Sequence, residues 1–134
     1  MVHPNEELVR RAYGAFTEGD TEILRRVFAD EIVFRIPGKS PMAGEYRGRD
    51  AVFGYLGRVM DRSEGTFRVE VHDVVANDEH AVGLTVHSGT HGGRHITFRS
   101  VHVWHVSGGR LTELWEYPEQ PAFDEFWGVN PPSF

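Results

Sequence analysis

Residues 95–117 read HITFRSVHVWHVSGGRLTELWEY, two runs of alternating side chains on either side of a Gly-Gly pair. Alternation of apolar and polar residues with a period of two is typical of a β-strand that has one face against a core. Two adjacent glycines favour a tight turn, because such turns require positive φ angles that glycine adopts without strain. The stretch therefore predicts a β-hairpin, with strands at about 95–106 and 111–117.

Two further strands are predicted upstream of this hairpin. Residues 67–71 alternate in the same way and are followed by the turn residues Asn77 and Asp78. Another β-prone run covers residues 81–90 and ends before a second Gly-Gly pair at 92–93. The second half of the chain is therefore predicted to be an antiparallel meander.

The first sixty residues predict helices instead. Apolar residues recur at helical spacing over residues 4–19, over 21–28 and again over 50–60. Between the last two helices, residues 32–36 form a short β-prone run and residues 37–48 are predicted to be a loop. Helices followed by strands favour an α+β fold with helices packed on one face of a curved sheet, and a conical pocket between these layers suits small molecules.

Length and composition narrow the function classes. The chain has 134 residues, of which 40% are hydrophobic, so one domain over residues 1–134 is expected. Its 14 basic and 20 acidic residues give a net charge of −6, which disfavours nucleic acids and anionic membranes as partners. The chain has no cysteine, which excludes disulfides and thiolate chemistry. No apolar run approaches the ~20 residues of a membrane span and no secretory signal is recognisable, so a cytoplasmic location is expected.

The sequence lacks the common catalytic signatures. It contains no G-x-S-x-G, P-loop, H-E-x-x-H or dinucleotide-binding motif, so serine hydrolysis and nucleotide cofactors have no support. His91 and His95 flank a predicted hairpin tip without a third ligand, which favours solvated turn histidines over a metal site. No metal ion is therefore expected.

His102 is the first candidate for chemistry, because it lies in the middle of a strand that is predicted to be central. A histidine at such a position needs a polar partner or a cavity. A tight turn at the Gly-Gly pair would bring Glu116 opposite His102, and His87 on the neighbouring strand could join them. Burial raises the pKa of a carboxyl group and a nearby imidazole can ionise it, so proton transfer near neutral pH is the chemistry predicted. The pattern alone equally allows an exposed His/Glu pair on a solvated face.

Several segments of the chain resemble the SnoaL-like branch of the NTF2-like superfamily, which also contains ketosteroid isomerases, limonene epoxide hydrolases and scytalone dehydratases. These segments are residues 15–20 with 27–31, residues 46–52 and residues 109–117, and the similarity covers nearly the whole chain. The resemblance implies an NTF2-like α+β cone, in which three N-terminal helices pack on a curved, mainly antiparallel sheet. It also implies a homodimer through the outer face of the sheet.

The same resemblance implies catalytic roles. Glu116 falls where the epoxide hydrolases and the SnoaL-type polyketide cyclases carry a catalytic aspartate, and His102 falls where the cyclases carry a pocket histidine. This implies cofactor-free acid–base chemistry on an apolar carbonyl-containing molecule, with Glu116 as the base and His102 as its partner. The tyrosine and base of the isomerases match Ala12 and Ile36, so steroid isomerisation is not supported.

The pocket wall is expected to be largely apolar. Tyr13 and Tyr46 could offer hydroxyl groups to a substrate. The other residues expected at the wall are Phe16, Phe34, Ile36, Phe53, Tyr55, Leu56, Trp104 and Leu114.

Two alternative functions stay open. One is a non-catalytic small-molecule binding or dimerisation module. The other is an epoxide-hydrolase-like activity, although this chain lacks the arginine–aspartate pair of those enzymes.

The outer face of the sheet is expected to carry apolar side chains. Alternation turns Val101, Val103, Trp115 and Tyr117 away from the pocket, and such a face needs a cover. Either a second copy of the chain or the apolar residues at 123–127 could supply it.

Overall fold

The computed structural model describes residues 2–128, and the first two helices form as the sequence predicts. Helix α1 spans Pro4–Glu18, and its end is set by Gly19, which has a positive φ of 69°. Glycine adopts this left-handed conformation at a helix end without strain. The side chain of Asp20 then accepts a hydrogen bond from the backbone N–H of Ile23 at 3.1 Å and caps α2, Thr21–Val27.

The remaining elements form one curved sheet with helices on its inner face. They are β1 Phe28–Ile36, β2 Gly44–Arg47, α3 Arg49–Arg62, β3 Arg68–Ala76, β4 His80–His91, β5 Arg94–Ser107, β6 Arg110–Pro118 and α4 Ala122–Phe126. The strand order is β2-β1-β6-β5-β4-β3, in which β1 runs parallel to β6 and the other neighbours are antiparallel. The α+β fold with three N-terminal helices on a mainly antiparallel sheet is thus confirmed.

One element differs from the sequence-based prediction. The segment 37–48 was predicted to be a loop, yet its residues 44–47 form the edge strand β2, which pairs with β1. All four residues of this strand are exposed or half-buried, so it shows no apolar alternation. A pattern search for strands misses such an edge for that reason.

The core lies between the inner face of the sheet and the helices. Helix α1 packs on β3 and β4, and α3 packs on β1 and β2. Even-numbered residues of β5 from 98 to 106 are buried, whereas their odd-numbered neighbours are half-buried or exposed. Within residues 2–128, no helix is both long enough and apolar enough to span a membrane.

Helix α4 also lies on the inner face. Phe123 and Phe126 pack against Phe98 of β5, with ring centroids 5.4 and 5.9 Å away. The suggestion that the C-terminal aromatic residues cover the outer face is therefore wrong for residues 123–127, because they fill the wide end of the cone. On the outer face, Trp115 is 37% exposed and Tyr117 is 56% exposed.

A register shift in the β5–β6 hairpin decides where Glu116 points. The strands reverse at Gly108-Gly109, where both φ angles are positive. Counting outward from this turn without an irregularity would pair His102 with Trp115. The extra residue Thr112 shifts the register by one, and His102 pairs with Glu116. Because a one-residue slip reverses every side chain, this bulge brings Glu116 to the inner face.

Candidate acid–base site

A cavity lies between the inner face of the sheet and helices α1 and α3. Its volume is about 70 Å³, within about 640 Å³ of space between side chains that includes its open mouth. The wall contains every residue singled out from the sequence except Tyr46 and Phe53: Tyr13, Phe16, Phe34, Ile36, Tyr55, Leu56, His87, His102, Trp104, Leu114 and Glu116. Phe67, Phe123 and Trp127 also contribute to the wall.

Tyr46 and Phe53, which were also expected at the wall, are not among the residues that line this cavity. The Tyr46 hydroxyl is directed away and donates to the carbonyl of Met42 at 2.7 Å. Phe53 packs against Phe28, which itself lines the cavity, and the guanidinium of Arg25 lies 4.9 Å from the centre of the Phe53 ring.

Glu116 is the centre of the polar cluster in this otherwise apolar wall. Its side chain is 4% exposed, and its Oε2 accepts hydrogen bonds from His102 Nε2 at 2.9 Å and from Ser100 Oγ at 3.0 Å. His87 Nδ1 lies 3.9 Å from the same oxygen. The other oxygen, Oε1, has no hydrogen-bond partner within residues 2–128 and is not among their fully enclosed unpartnered atoms. Oε1 is therefore the oxygen that a ligand in the cavity can reach.

His102 is held by a chain of hydrogen bonds that starts at Trp104, on the same strand, and passes through Tyr13 of α1. The indole N–H of Trp104 donates to the Tyr13 hydroxyl at 3.1 Å, and that hydroxyl lies 2.7 Å from His102 Nδ1. With a neutral imidazole, Tyr13 donates its only proton to Nδ1, so Nε2 carries the ring proton and donates it to Glu116. The chain thus fixes the ring orientation and the tautomer that serve the carboxylate.

His87 has a different set of contacts. Thr85 Oγ1 donates its only proton to the carbonyl of Ser100 at 3.0 Å, so it accepts from His87 Nε2 at 2.9 Å. His87 Nδ1 is then left with a free lone pair on the side of Glu116. Burial, assisted by the electrostatic effect of the neighbouring His102, lowers the pKa of His87 to about 3 against the opposing effect of Glu116. This imidazole is therefore neutral near pH 7.

The ionisation of Glu116 differs from the sequence-based expectation. Burial does raise its pKa, but hydrogen bonds from His102 and Ser100 and the two nearby imidazoles outweigh this effect. Together they hold the pKa of Glu116 below its ordinary value of 4.5. The expectation that both protonation states would be accessible near neutral pH is wrong, because the sequence pattern set an imidazole against burial but did not include the hydrogen bond from Ser100. The site holds a buried carboxylate anion.

The three ionisable side chains also form a cluster with the donor atoms of a metal site. Atoms of His87, His102 and Glu116 lie within 4.8 Å of one another, a set that the sequence pattern did not connect with metal binding. Two imidazoles and one carboxylate would suit zinc or a related ion. In the present arrangement the Nε2 proton of His102 is donated to Glu116, and an ion would have to replace that hydrogen bond.

Ser100 and Thr85 are the site residues that the sequence analysis did not single out. Both are buried on the face that His102 and His87 occupy. Alternation along β4 and β5 places them there, so the period of two was the signal that could have found them.

Comparisons with known proteins agree with the fold. A model of the SnoaL-like domain matches residues 9–114. The uncharacterized protein Rv0034 of Mycobacterium tuberculosis is 35% identical over 123 residues, which cover 90% of this chain and 94% of that protein. Bal32a, from a soil-derived mobile gene cassette, is 32% identical and superposes with a TM-score of 0.89 over 92% of this chain and 96% of its own. An NTF2-like protein from Burkholderia xenovorans, 23% identical, has a TM-score of 0.80 over 93% and 96% of the two chains.

Proposed function

Because the chain belongs to the SnoaL-like domain family and has the NTF2-like fold, we propose that it is a small cofactor-independent enzyme of the polyketide cyclase or isomerase type. Its substrate is an apolar molecule with a carbonyl group. Glu116 removes a proton from the carbon next to that carbonyl, and His102 and Ser100 hold the carboxylate in place.

The observation that carries this proposal is the asymmetry of the Glu116 carboxylate. Oε2 is held by two hydrogen bonds, whereas Oε1 makes none within residues 2–128, and Glu116 lies in the wall of an apolar cavity. A base in this position needs no reorganisation before it reacts, because its orientation is already fixed. General-base catalysis by one positioned group contributes about 10²–10⁴-fold.

The reaction proceeds by transfer of one proton. Oε1 takes the proton, and the electron pair of the broken C–H bond moves into the carbonyl to form an enolate. In a cyclase the enolate carbon then attacks a second carbonyl of the same molecule, and the resulting alkoxide takes the proton back from Glu116. In an isomerase, Glu116 returns the proton to a different carbon. The enzyme is unchanged at the end in both cases.

The low pKa of Glu116 limits which substrates can react. A weak base removes only acidic C–H protons, so the carbon must be acidified by a second carbonyl or an aromatic ring as well as by the first carbonyl. The substrate class proposed is therefore an apolar 1,3-dicarbonyl or a ketone with an aryl group on its α-carbon.

A simple test uses 2-tetralone, whose C1 protons are acidified by both the carbonyl and the ring. We expect the protein to accelerate exchange of these protons in D2O, measured by NMR, and Glu116→Gln to lose about 10²–10⁴-fold of that acceleration. Glu113→Gln is the matched control, because Glu113 lies on the same strand but pairs with Arg35 on the outer face. Equal exchange with the wild type and Glu116→Gln would refute the proposal.

A binding module is the second candidate, and the cavity size limits the ligand in the same way for both candidates. A cavity of about 70 Å³ is smaller than the ~150 Å³ that accommodates benzene in an engineered apolar site. A ring-sized ligand must therefore extend into the mouth or displace side chains. Binding of 2-tetralone without catalysed exchange would support this second function, and hydrolysis of an aryl epoxide would support the hydrolase alternative.

The outer face of the sheet leads us to propose a homodimer. Trp115 and Tyr117 are exposed there, beside the half-buried Val101 and Val103, and α4 lies on the opposite face. A second copy of the chain would bury these side chains. Sedimentation of the wild type at micromolar concentration should give a dimer, and Trp115→Lys should shift it to a monomer. A monomeric wild type would contradict the proposal.

A further inference from the structure

Tyr55 carries a buried hydroxyl group without a hydrogen-bond partner within residues 2–128. It lies on the buried face of α3 with Val52 and Val59, and its residue is 6% exposed. The ring packs against Phe34 at 6.1 Å and against Tyr46 at 4.6 Å between centroids, so its position is fixed by aromatic contacts. Within residues 2–128, the hydroxyl makes no hydrogen bond.

Tyr55 is one of the residues that line the cavity. Four side-chain atoms of the described residues are fully enclosed without a partner: Arg49 Nε, Arg62 Nε, His105 Nε2 and Trp127 Nε1. The Tyr55 oxygen is not among them, although it also lacks a partner within residues 2–128, so it is not fully enclosed by the protein. A buried hydroxyl in this condition gains a hydrogen bond from water or from a ligand.

The other polar donors of the described cavity wall are either engaged in hydrogen bonds or, in the case of Trp127 Nε1, fully enclosed. Tyr13 donates to His102, His102 donates to Glu116, and His87 donates to Thr85. Tyr55 is thus the donor of the described wall that remains available for a ligand. Burial raises its pKa well above 10, and the charge of Glu116 acts in the same direction. Tyr55 therefore keeps its proton and can donate it in a hydrogen bond.

We propose that Tyr55 forms a binding subsite for the carbonyl or phenolic oxygen of an apolar, ring-shaped ligand. This inference rests on the cavity assigned to the proposed function and specifies how its ligand is oriented. An oxygen held by Tyr55 lies in the same cavity as the free Oε1 of Glu116. In the enzyme, the same hydrogen bond would stabilise the oxygen on which the enolate charge develops.

The test compares two ligands that differ by one oxygen, 2-tetralone and tetralin, and two variants that differ in one hydroxyl. Tyr55→Phe keeps the ring packing and removes the hydroxyl, whereas Tyr46→Phe is the control because the Tyr46 hydroxyl donates to Met42. Calorimetry should show 2-tetralone binding weakened about 3- to 10-fold in Tyr55→Phe, with tetralin binding unchanged in both variants. Equal losses for the two ligands, or no preference of the wild type for 2-tetralone, would overturn the subsite.

The carbonyl stretching frequency of bound 2-tetralone provides a readout that packing alone does not move. Infrared difference spectra should show a shift to lower wavenumber in the wild type and in Tyr46→Phe, and the loss of this shift in Tyr55→Phe. An identical frequency in Tyr55→Phe and the wild type would overturn the inference. This result does not depend on catalysis, so the subsite can hold even where Glu116→Gln shows no effect on proton exchange.

Discussion

Replacing Tyr13 by phenylalanine removes one oxygen atom and leaves two buried polar groups without their partner. The hydroxyl accepts from Trp104 Nε1 at 3.1 Å and pairs with His102 Nδ1 at 2.7 Å. Trp104 and His102 are 4% and 6% exposed, so water reaches neither group easily. The ring of Tyr13 stays, because phenylalanine has the same shape.

The magnitude follows from these two contacts. A buried polar group that loses its partner costs about 1–3 kcal/mol, so Tyr13→Phe should lower the free energy of unfolding by about 2–4 kcal/mol. For a chain of this length, that corresponds to a fall in Tm of roughly 10 °C. Urea denaturation followed by circular dichroism measures the change directly.

Tyr46→Phe is the matched control for this experiment. Its hydroxyl makes one bond to a backbone carbonyl and the residue is half-buried, so the expected loss is about 1 kcal/mol or less. Equal losses in the two variants would refute the reasoning, because Tyr13 would then hold nothing beyond an ordinary hydrogen bond. A loss below about 0.5 kcal/mol for Tyr13→Phe would refute it as well.

Two further predictions concern the same network. A methyl group added at Gly83 would meet the ring and hydroxyl of Tyr13, so Gly83→Ala should lower the free energy of unfolding by about 1–3 kcal/mol. Gly57 in α3 has open space around it, so the control Gly57→Ala should raise this free energy slightly. The urea assay described above measures both variants. The pKa of His87 is about 3 in the native state and 6.5 in the unfolded chain, so the unfolded state binds more protons between these values and stability falls as the pH drops through this window. His87, which faces Glu116 and His102, contributes up to about 1.4 kcal/mol per pH unit to this fall in the free energy of unfolding. His87→Gln should therefore have a flatter dependence of stability on pH between about pH 6 and pH 5. Parallel stability–pH curves for the wild type and the variant would contradict this prediction.

Much of the fold could be predicted from local patterns, because the β5–β6 hairpin and the first two helices have clear signals in the sequence. The Gly-Gly turn and the alternation along 95–117 predict the strands, and helical spacing with Gly19 and Asp20 predicts the first two helices. The parallel pairing of β1 with β6 was not predicted, since it joins residues about 80 positions apart and has no local signature.

The candidate site was predicted less completely. The proximity of His102 and Glu116 was predicted, but a strict count from the turn gives a different pair, and only the bulge at Thr112 produces the observed one. Bulges depend on packing across the whole sheet, which a single strand does not encode. The direction of the Glu116 pKa depended on Ser100 Oγ and on the tautomer of His102, both set by contacts between distant elements.

The ionisation state of Glu116 decides whether this side chain acts as a base or as an acid. Carbon-13 NMR of protein labelled at the glutamate carboxyl carbon measures it directly, with Glu116→Gln to assign the resonance. We predict that the Glu116 signal remains that of a carboxylate from neutral pH down to about pH 5 and titrates below the ordinary value of 4.5. A carboxylic acid signal at neutral pH would contradict the role of Glu116 as the base of this site.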